Sequence, residues 1–353
     1  MDIIEATKRY EAWLGGQIPL LPADLRLKHS RMRGEAFAFL RATYYRWAQE
    51  WLAVCGPLAR GVRVLSVGDL HVENFGTWRD AEGRLVWGVN DLDEAYPLPF
   101  TNDLIRTAAS ALLAGDQLAL SPVDLYGQIL RGYQDCLKAG GRPFVLVDRE
   151  SALRAMVRRR LLKPKKFWDK LRAIRPLRRP PPADAEKAIR ALLPERKLPL
   201  RFGHRIAGLG SLGRERYTAL GAWTGGPIAR EAKACALSAC VWAGGAERRM
   251  FVERLALTAV RAPDPLWEVR GRWLVRRLSP ECFRLELSEL PEERNERALL
   301  YAMGWEIANI HLGSGSGAAI RRDLRKLPGD WLLRAAKLMR DHVLADWRAF
   351  RKG

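Results

Sequence analysis

Two short apolar runs, each followed by an acidic loop, constrain this chain more than any other feature. The first lies in Arg63-Val-Leu-Ser-Val-Gly-Asp-Leu-His-Val-Glu-Asn-Phe-Gly76 and the second in Leu85-Val-Trp-Gly-Val-Asn-Asp-Leu-Asp-Glu-Ala95. Both runs read as strands, and Asp80-Ala-Glu-Gly83 between them reads as a turn. Asp69 and Asn74 stand in an Asp-x-x-x-x-Asn frame after the first run, and Asp91 follows the second. A carboxylate, an amide oxygen and a second carboxylate are therefore expected to meet at the ends of neighbouring strands. Phosphoryl transfer uses such a set. One carboxylate orients the attacking hydroxyl and accepts its proton, while the amide and the other carboxylate hold Mg²⁺ on nucleotide phosphates. The bland alternative is a buried polar turn beside a solvated acidic loop.

Magnesium suits these ligands, because it takes a few protein oxygens and completes its shell with waters and substrate phosphates. Asp93, two residues beyond Asp91, is a supporting carboxylate in the same loop. His71 invites a metal-ligand reading, but zinc wants three or four His, Cys or carboxylate ligands and the chain has 5 histidines in all. A structural or supporting role is expected for it. Gly68-Asp-Leu-His71 also occurs in metal-dependent phosphoesterases. Those need a downstream Asn-His dipeptide, which this sequence lacks.

At 353 residues the chain can bury one large core or two ordinary ones. A hydrophobic content of 48% with 13 tryptophans excludes a mainly disordered protein. The five cysteines, Cys55, Cys136, Cys235, Cys240 and Cys282, are scattered and form no Cys-x-x-Cys pair. They read as buried thiols of a reducing compartment. The N-terminus lacks a signal-peptide pattern and no run of about 18 apolar residues could span a membrane, so the cytoplasm is the expected location. A formal charge of +20 favours an anionic partner, whether nucleotide, nucleic acid, phospholipid or acidic peptide. Arginines dispersed over a solvated surface would give the same total.

Helical periodicity covers Gly34 to Ala53, Asn102 to Leu113, Ser121 to Lys138 and Arg149 to Leu162. From 158 to 182 the chain turns basic and proline-rich, with Phe167 and Trp168 inside it. Such a stretch either tracks a polyanion or simply connects two lobes. A second unit begins near Leu200. It carries Gly-x-Gly-x-x-Gly at Gly208, Gly210 and Gly213, with Ser211 inside the motif. A dinucleotide fingerprint needs a long helix directly afterwards. Here Arg214 to Trp223 leads instead into a second turn at Thr224-Gly-Gly-Pro227, so strand, glycine loop, strand is the better fit. Lys233 follows on the next strand, where it could grip nucleotide phosphates. Glu247 and Glu253, on an expected helix, are candidates to hold it. The last third has a strand at Arg272 to Leu278 and helices at Glu292 to Leu312 and Asp330 to Phe350. His311 reads equally as a core or a site residue.

Taken together, Lys28-His-Ser-Arg-Met32, Phe37-Ala-Phe-Leu-Arg41, Gly68-Asp-Leu-His-Val-Glu-Asn-Phe-Gly76, Asn90-Asp-Leu-Asp-Glu-Ala95, Gly208-Leu-Gly-Ser-Leu-Gly213 and Ile307-Ala-Asn-Ile-His311 resemble the bacterial domain of unknown function 2252 family. Its members look like circularly permuted relatives of aminoglycoside phosphotransferases and protein kinases. Their catalytic segment precedes the glycine loop, here by about 140 residues. The resemblance implies an α+β, two-lobed kinase-like fold. The larger lobe would be 1–157 completed by the helices of 286–353, with a connector at 158–199 and a small antiparallel-sheet lobe at 200–285. It implies Asp69 as catalytic carboxylate, Asn74 and Asp91 as Mg²⁺ ligands, and Gly208, Gly210, Ser211, Gly213 and Lys233 as the ATP-phosphate site. Asp103 would be a structural carboxylate beneath the catalytic loop. Three departures stand out: Val67 where many small-molecule phosphotransferases have histidine, Lys-Ala-Cys after Ala232, and Asn-Ile-His-Leu around His311. The expected activity is ATP- and Mg²⁺-dependent phosphoryl transfer to a hydroxyl of an unidentified acceptor, with an anionic acceptor as one option. The alternatives are a kinase-fold pseudoenzyme or scaffold for a polyanion, and a nucleotidyltransferase.

Overall fold

Helices dominate the first sixty residues. In the computed structural model, which describes residues 1–115, 118, 120–146, 153–155, 157, 163–287 and 295–353, α1 (Ile3–Gly15) starts at Asp2, whose carboxylate accepts from the Glu5 N–H at 2.8 Å. α2 (Pro22–Gly34), α3 (Ala36–Ala42) and α4 (Tyr44–Cys55) follow. The one helix expected over Gly34 to Ala53 is thus two, broken at Thr43 (φ −121°, ψ 38°). The Thr43 hydroxyl donates to the Phe39 carbonyl at 2.7 Å, a local bond that competes with the helical ladder. The apolar stripe survives the break, and Phe37, Leu40, Tyr44, Trp47 and Trp51 are all buried.

Next come β1 (Arg63–Ser66), β2 (Phe75–Arg79), β3 (Leu85–Val89) and β4 (Tyr96–Pro99). The two apolar runs, β1 and β3, do not pair with each other. β1 lies antiparallel to β4, while β3 forms a hairpin with β2, Phe75 facing Val89. The hairpin turns at Asp80–Gly83, where Gly83 has φ +71° and the Asp80 carboxylate accepts from the Glu82 and Arg84 N–H groups. α5 (Thr101–Ala114) and α6 (Pro122–Ala139) follow, the latter capped by Ser121, and β5 (Phe144–Val145) adds a third strand beside β3. The helix expected over Arg149 to Leu162 falls largely outside the described residues, as do Arg158 to Arg160.

α7 (Pro164–Arg172) and α8 (Ala183–Ala191) precede a five-stranded antiparallel sheet. Its strands are β6 (Arg201–His204), β7 (Arg216–Trp223), β8 (Gly226–Ala234), β9 (Trp267–Arg270) and β10 (Trp273–Leu278), in the order β6-β7-β8-β10-β9. Between β8 and β9 the chain forms α9 (Ala239–Trp242) and α10 (Val252–Thr258). Phe167 and Trp168 of α7 pack on Leu171, Ala229 and Leu278, which places the aromatic pair of the basic stretch against this sheet. Lys163, Lys165 and Lys166 beside them are exposed.

α11 (Glu296–Leu312), α12 (Gly317–Leu324) and α13 (Trp331–Lys352) complete the described chain. α11 lies directly against α6, because Gly132 and Gly304 let the two backbones touch; a Cβ at either would collide with the partner's carbonyl. One continuous apolar core runs from α1 through the five-stranded sheet to α13, including Trp51, Trp87 and Trp273. The fold is mixed α+β, with small antiparallel sheets. All five cysteines are free thiols. Among the described residues no helix is long and apolar enough to cross a membrane.

Candidate functional site

The site is built upward from Asp103. This carboxylate is fully buried in the first turn of α5 and accepts from the Val67 N–H at 2.7 Å and the Gly68 N–H at 3.0 Å. His311 Nε2 lies 3.2 Å from Asp103 Oδ2, the oxygen that also accepts from Val67, and His311 Nδ1 lies 2.8 Å from the Tyr133 hydroxyl. His311 is therefore a buried brace between α11, α6 and this carboxylate. Gly68, at φ +80°, makes the bend that launches Asp69. A Cβ there would stand 2.5 Å from the Glu94 carbonyl oxygen, so glycine is required.

Arg106, one helical turn after Asp103 and fully buried, grips Asp69. Its Nε donates to Asp69 Oδ1 at 2.9 Å, Nη2 reaches the same oxygen, and Nη2 also donates to the Leu40 carbonyl at 3.0 Å. The Tyr44 and Trp47 rings flank the guanidinium at 4.9 and 4.8 Å. Burial pushes the Asp69 carboxyl above its usual range against the pull of Arg106, and burial wins.

Loop hydrogen bonds, not strand pairing, bring the expected trio together. Asn74 Nδ2 donates to the Asp69 carbonyl at 3.0 Å and to the Asp91 carbonyl at 3.1 Å. With both amide hydrogens engaged, Asn74 Oδ1 is the atom left for a ligand. The Asp91 carboxylate accepts from Lys233 Nζ at 3.2 Å, and Lys233 also pairs with Asp93. Burial would raise the Asp91 carboxyl, but Lys233 and Arg276 overcome it and hold the group far below the usual range. Burial and the neighbouring Asp91 charge push Asp93 upward, and its Oδ1 is buried without a partner.

Lys233 projects from β8 opposite Arg216 and Leu274. The two glutamates proposed to hold it do not. Glu247 lies before α10 with its carboxylate 3.4 Å from Arg249, and Glu253 lines a different cavity. The nearby β8 acid is Glu231, two residues earlier on the same face and fully buried among Arg205, Arg216 and Arg276 at 2.7, 2.6 and 2.9 Å. Burial opposes its ionisation, but the three guanidiniums prevail. The alternating Glu231 and Lys233 were a legible sign that this strand face points toward charge.

The glycine motif forms a compact turn over Asp69. Ser211 N–H donates to the Gly208 carbonyl at 3.2 Å, and Ser211 Oγ accepts from Arg216 Nη2 at 2.7 Å. A Cβ on Gly210 would stand 2.9 Å from the Arg41 carbonyl and 3.4 Å from Asp69 Oδ2. Gly208 and Gly213 have φ of +72° and +98°. The Gly213 carbonyl is tied to the Leu21 N–H at 2.8 Å, and the Gly210 carbonyl to Lys28 Nζ at 3.3 Å.

Between the turn and the Asp69 loop lies a cavity of about 50 Å³, lined by Asp69, His71, Asn74, Asp91 and Asp93 together with Lys28, Arg41 and Arg284. His71 is buried, and burial with Arg41, Arg284 and Arg106 holds its imidazole neutral, well below its usual range. A second, mainly apolar cavity of about 170 Å³ flanks the other side of the Asp91 segment, lined by Trp78, Val89, Leu92, Trp267 and Arg276 among others.

Residues 20–145 match the family described as "Uncharacterized protein conserved in bacteria (DUF2252)". The matched segment carries Lys28, Arg41, Asp69, Asn74, Asp91, Asp103 and Arg106, and ends before the glycine turn and Lys233. No curated protein and no solved structure matches the chain. Sequence reasoning missed Arg106, Lys28 and Arg41. An arginine between the apolar pair Leu104-Ile105 and the Ala-rich run of 108–114 in α5 was a signal for the first. The other two were hidden among the dispersed positive charges.

Chemically, Asp91 and Asn74 offer hard oxygen donors facing one cavity. Among the described residues no group of three or more His, Cys, Asp or Glu side chains could hold a metal by itself. A cation here would need further oxygens from a ligand and water.

Proposed function

We propose that this chain is an ATP- and Mg²⁺-dependent phosphotransferase acting on a hydroxyl acceptor, on a circularly permuted, two-lobed kinase-like fold. The observation that carries the reading is the meeting of Asp69, Asn74 and Asp91 in one cavity under a glycine turn, with Lys233 hydrogen-bonded to Asp91. The order of the sheet supports it. The glycine turn joins the first two strands, the lysine sits on the third, and two helices precede the last two, as in the small lobe of a kinase. In this reading the lobes are 200–285 and 1–157 with 286–353, joined through 158–199. Permutation leaves such a packed set unchanged, because chain ends lie at the surface and can be rejoined elsewhere.

Each residue then has a task. The acceptor oxygen attacks the γ-phosphorus, its proton passes to Asp69, and an O–P bond forms as the bond to the β–γ bridging oxygen breaks, releasing ADP. Arg106 fixes Asp69 in place, and the raised carboxyl is suited to take a proton. Asp91 and Asn74 Oδ1 would hold Mg²⁺, which neutralises phosphate charge when bound. The donor set fits: two hard oxygens, with the rest of the shell left to phosphates and water. Lys233 would turn from Asp91 to the phosphates while keeping Asp93. The apolar cavity beside Leu92 suits a nucleobase.

A cavity of about 50 Å³ holds little more than water, so the glycine turn must lift for phosphates to enter. The test is incubation with Mg²⁺ and ATP labelled separately at the γ and α positions, with small-molecule extracts as acceptors. Transfer of the γ label supports the reading. Transfer of the α label would replace it with nucleotidyl transfer, and failure to bind Mg²⁺-ATP at all would leave a scaffold.

A further inference from the structure

The reaction set explains Lys233, Asn74 and the aspartates, but not Lys28, Arg41 and Arg284, which share the cavity of Asn74 and the aspartates. Lys28, on α2, is 3% exposed and makes no ion pair among the described residues; its ammonium donates only to the Gly210 carbonyl. Arg41, at the end of α3, spends Nη1 on Glu73 Oε2 at 2.5 Å, while its buried Nε has no partner. Arg284, after β10, likewise has a buried Nε without a partner, and among the described residues its one ion pair, to Glu286, is 4.0 Å long. His71 adds a buried, unpartnered Nδ1.

These groups face the cavity that holds Asp69. Lys28, Arg41 and Arg284 come from α2, α3 and the segment after β10 and His71 from the loop after β1, whereas the nucleotide set comes from the loops after β1 and β3, the glycine turn and β8. Buried donors and an unpaired ammonium are costly unless a ligand satisfies them. Donor-only nitrogens in a forked arrangement match the oxygens of a phosphate or carboxylate.

We propose that Lys28, Arg41 and Arg284 form an acceptor subsite, and that the acceptor is a hydroxyl compound carrying a phosphate or carboxylate group. His71 hydrogen-bonds the same compound as a neutral imidazole. The assignment rests on the phosphotransferase reading, which supplies the nucleotide that the acceptor meets. The Lys28 ammonium, which makes no ion pair among the described residues, would disfavour a cationic group such as that of an amino sugar at this subsite.

The same oxyanion chemistry could come from the γ-phosphate of ATP itself, and the test separates the two sources. Full-length protein is titrated calorimetrically with inorganic phosphate, alone and with saturating Mg²⁺ and a non-hydrolysable ATP analogue. Malonate replaces phosphate in a parallel arm. Phosphate or malonate should bind while the nucleotide is in place, whichever is tighter naming the preferred acceptor group. Lys28→Met should weaken that anion about tenfold or more and Arg284→Gln about threefold or more, while nucleotide affinity stays within about twofold. If Lys28→Met does not fold, Arg284→Gln carries the comparison. The proposal is overturned if neither anion binds beside the nucleotide, if the anion and nucleotide compete for one site, or if the variants weaken nucleotide alone. Wild-type protein that never binds Mg²⁺-nucleotide sinks the phosphotransferase reading instead. Anion binding through Lys28 in such a protein would leave an anion site and remove its acceptor role.

Discussion

Lys233 Nζ stands 3.2 Å from Asp91 Oδ1 across 142 positions of chain. The pair ties the third strand of the five-stranded sheet to the loop after β3, and Asp93 holds the same ammonium from the other side. A metal at Asp91 would therefore displace half of an existing ion pair, with Asp93 keeping Lys233 compensated.

That arrangement sets what Asp91→Asn should do. Lys233 retains Asp93, so apo stability should fall by only about 1 kcal/mol. Saturation to about 100 times Kd stabilises a binding protein by about 2.7 kcal/mol. Thermal melts should show this Mg²⁺-ATP shift in the wild type and lose most of it in Asp91→Asn. An equal shift in both proteins would count against Asp91 as a metal ligand.

Lys28 bears on stability in the opposite sense. Burial lowers its ammonium to about 8. A displacement of that size from 10.5 is worth about 3 kcal/mol against the charged form at neutral pH, before relaxation. Lys28→Met keeps the length and removes the charge, so it should stabilise the apo protein by about 1–3 kcal/mol in urea unfolding. Destabilisation of that size would mean that Lys28 serves the fold through Gly210.

The Asp103 platform should be far less forgiving. Asp103→Ala leaves the buried Val67 and Gly68 N–H groups without acceptors and frees His311 from its carboxylate. We expect a loss of about 3–5 kcal/mol. Asp103→Asn, which keeps one acceptor oxygen, should lose less. Equal losses in denaturant melts would show that hydrogen-bond acceptance at Asp103 is not what matters.

Much of this was legible in the chain, and the parts that were not share a cause. The strands flanking Asp69 and Asp91, the turn at Asp80 to Gly83, the strand–glycine turn–strand unit and Lys233 on a strand follow from local patterning that tertiary contacts reinforce. The pairing of β1 with β4 instead of β3, the break at Thr43 and the aspartate partners of Lys233 depend on contacts between distant segments. Spacing along one element carries no trace of these. Glu247 and Glu253 were plausible partners because a helix was expected to present them. The helix begins only at Val252, and Glu247 lies before it.

Glu306 gives the fold a pH dependence. It is buried on α11, accepts from the Val89 N–H at 3.3 Å and Asn309 Nδ2 at 3.0 Å, and is pushed by burial from 4.5 up to about 7 despite nearby Arg261. Between these values the folded state holds a proton that the unfolded chain has released, so stability falls as pH rises. The loss should total at most about 3 kcal/mol from pH 4.5 to 7, and level off above. Urea unfolding across this range should show the slope in wild type and a shallower one in Glu306→Gln.

The central claim is tested most directly at Asp69. Its carboxylate would take the acceptor proton, while Asn74, Asp91 and Lys233 hold the nucleotide, so Asp69→Asn separates chemistry from binding. The measurement is γ-phosphoryl transfer, or slow Mg²⁺-ATP hydrolysis where no acceptor is supplied, alongside nucleotide affinity in the same preparations. The account predicts that Asp69→Asn binds Mg²⁺-ATP within a few-fold of wild type and turns over about 10²–10⁴-fold more slowly. Equal turnover in the two proteins, or a wild type that never binds Mg²⁺-ATP, would contradict it.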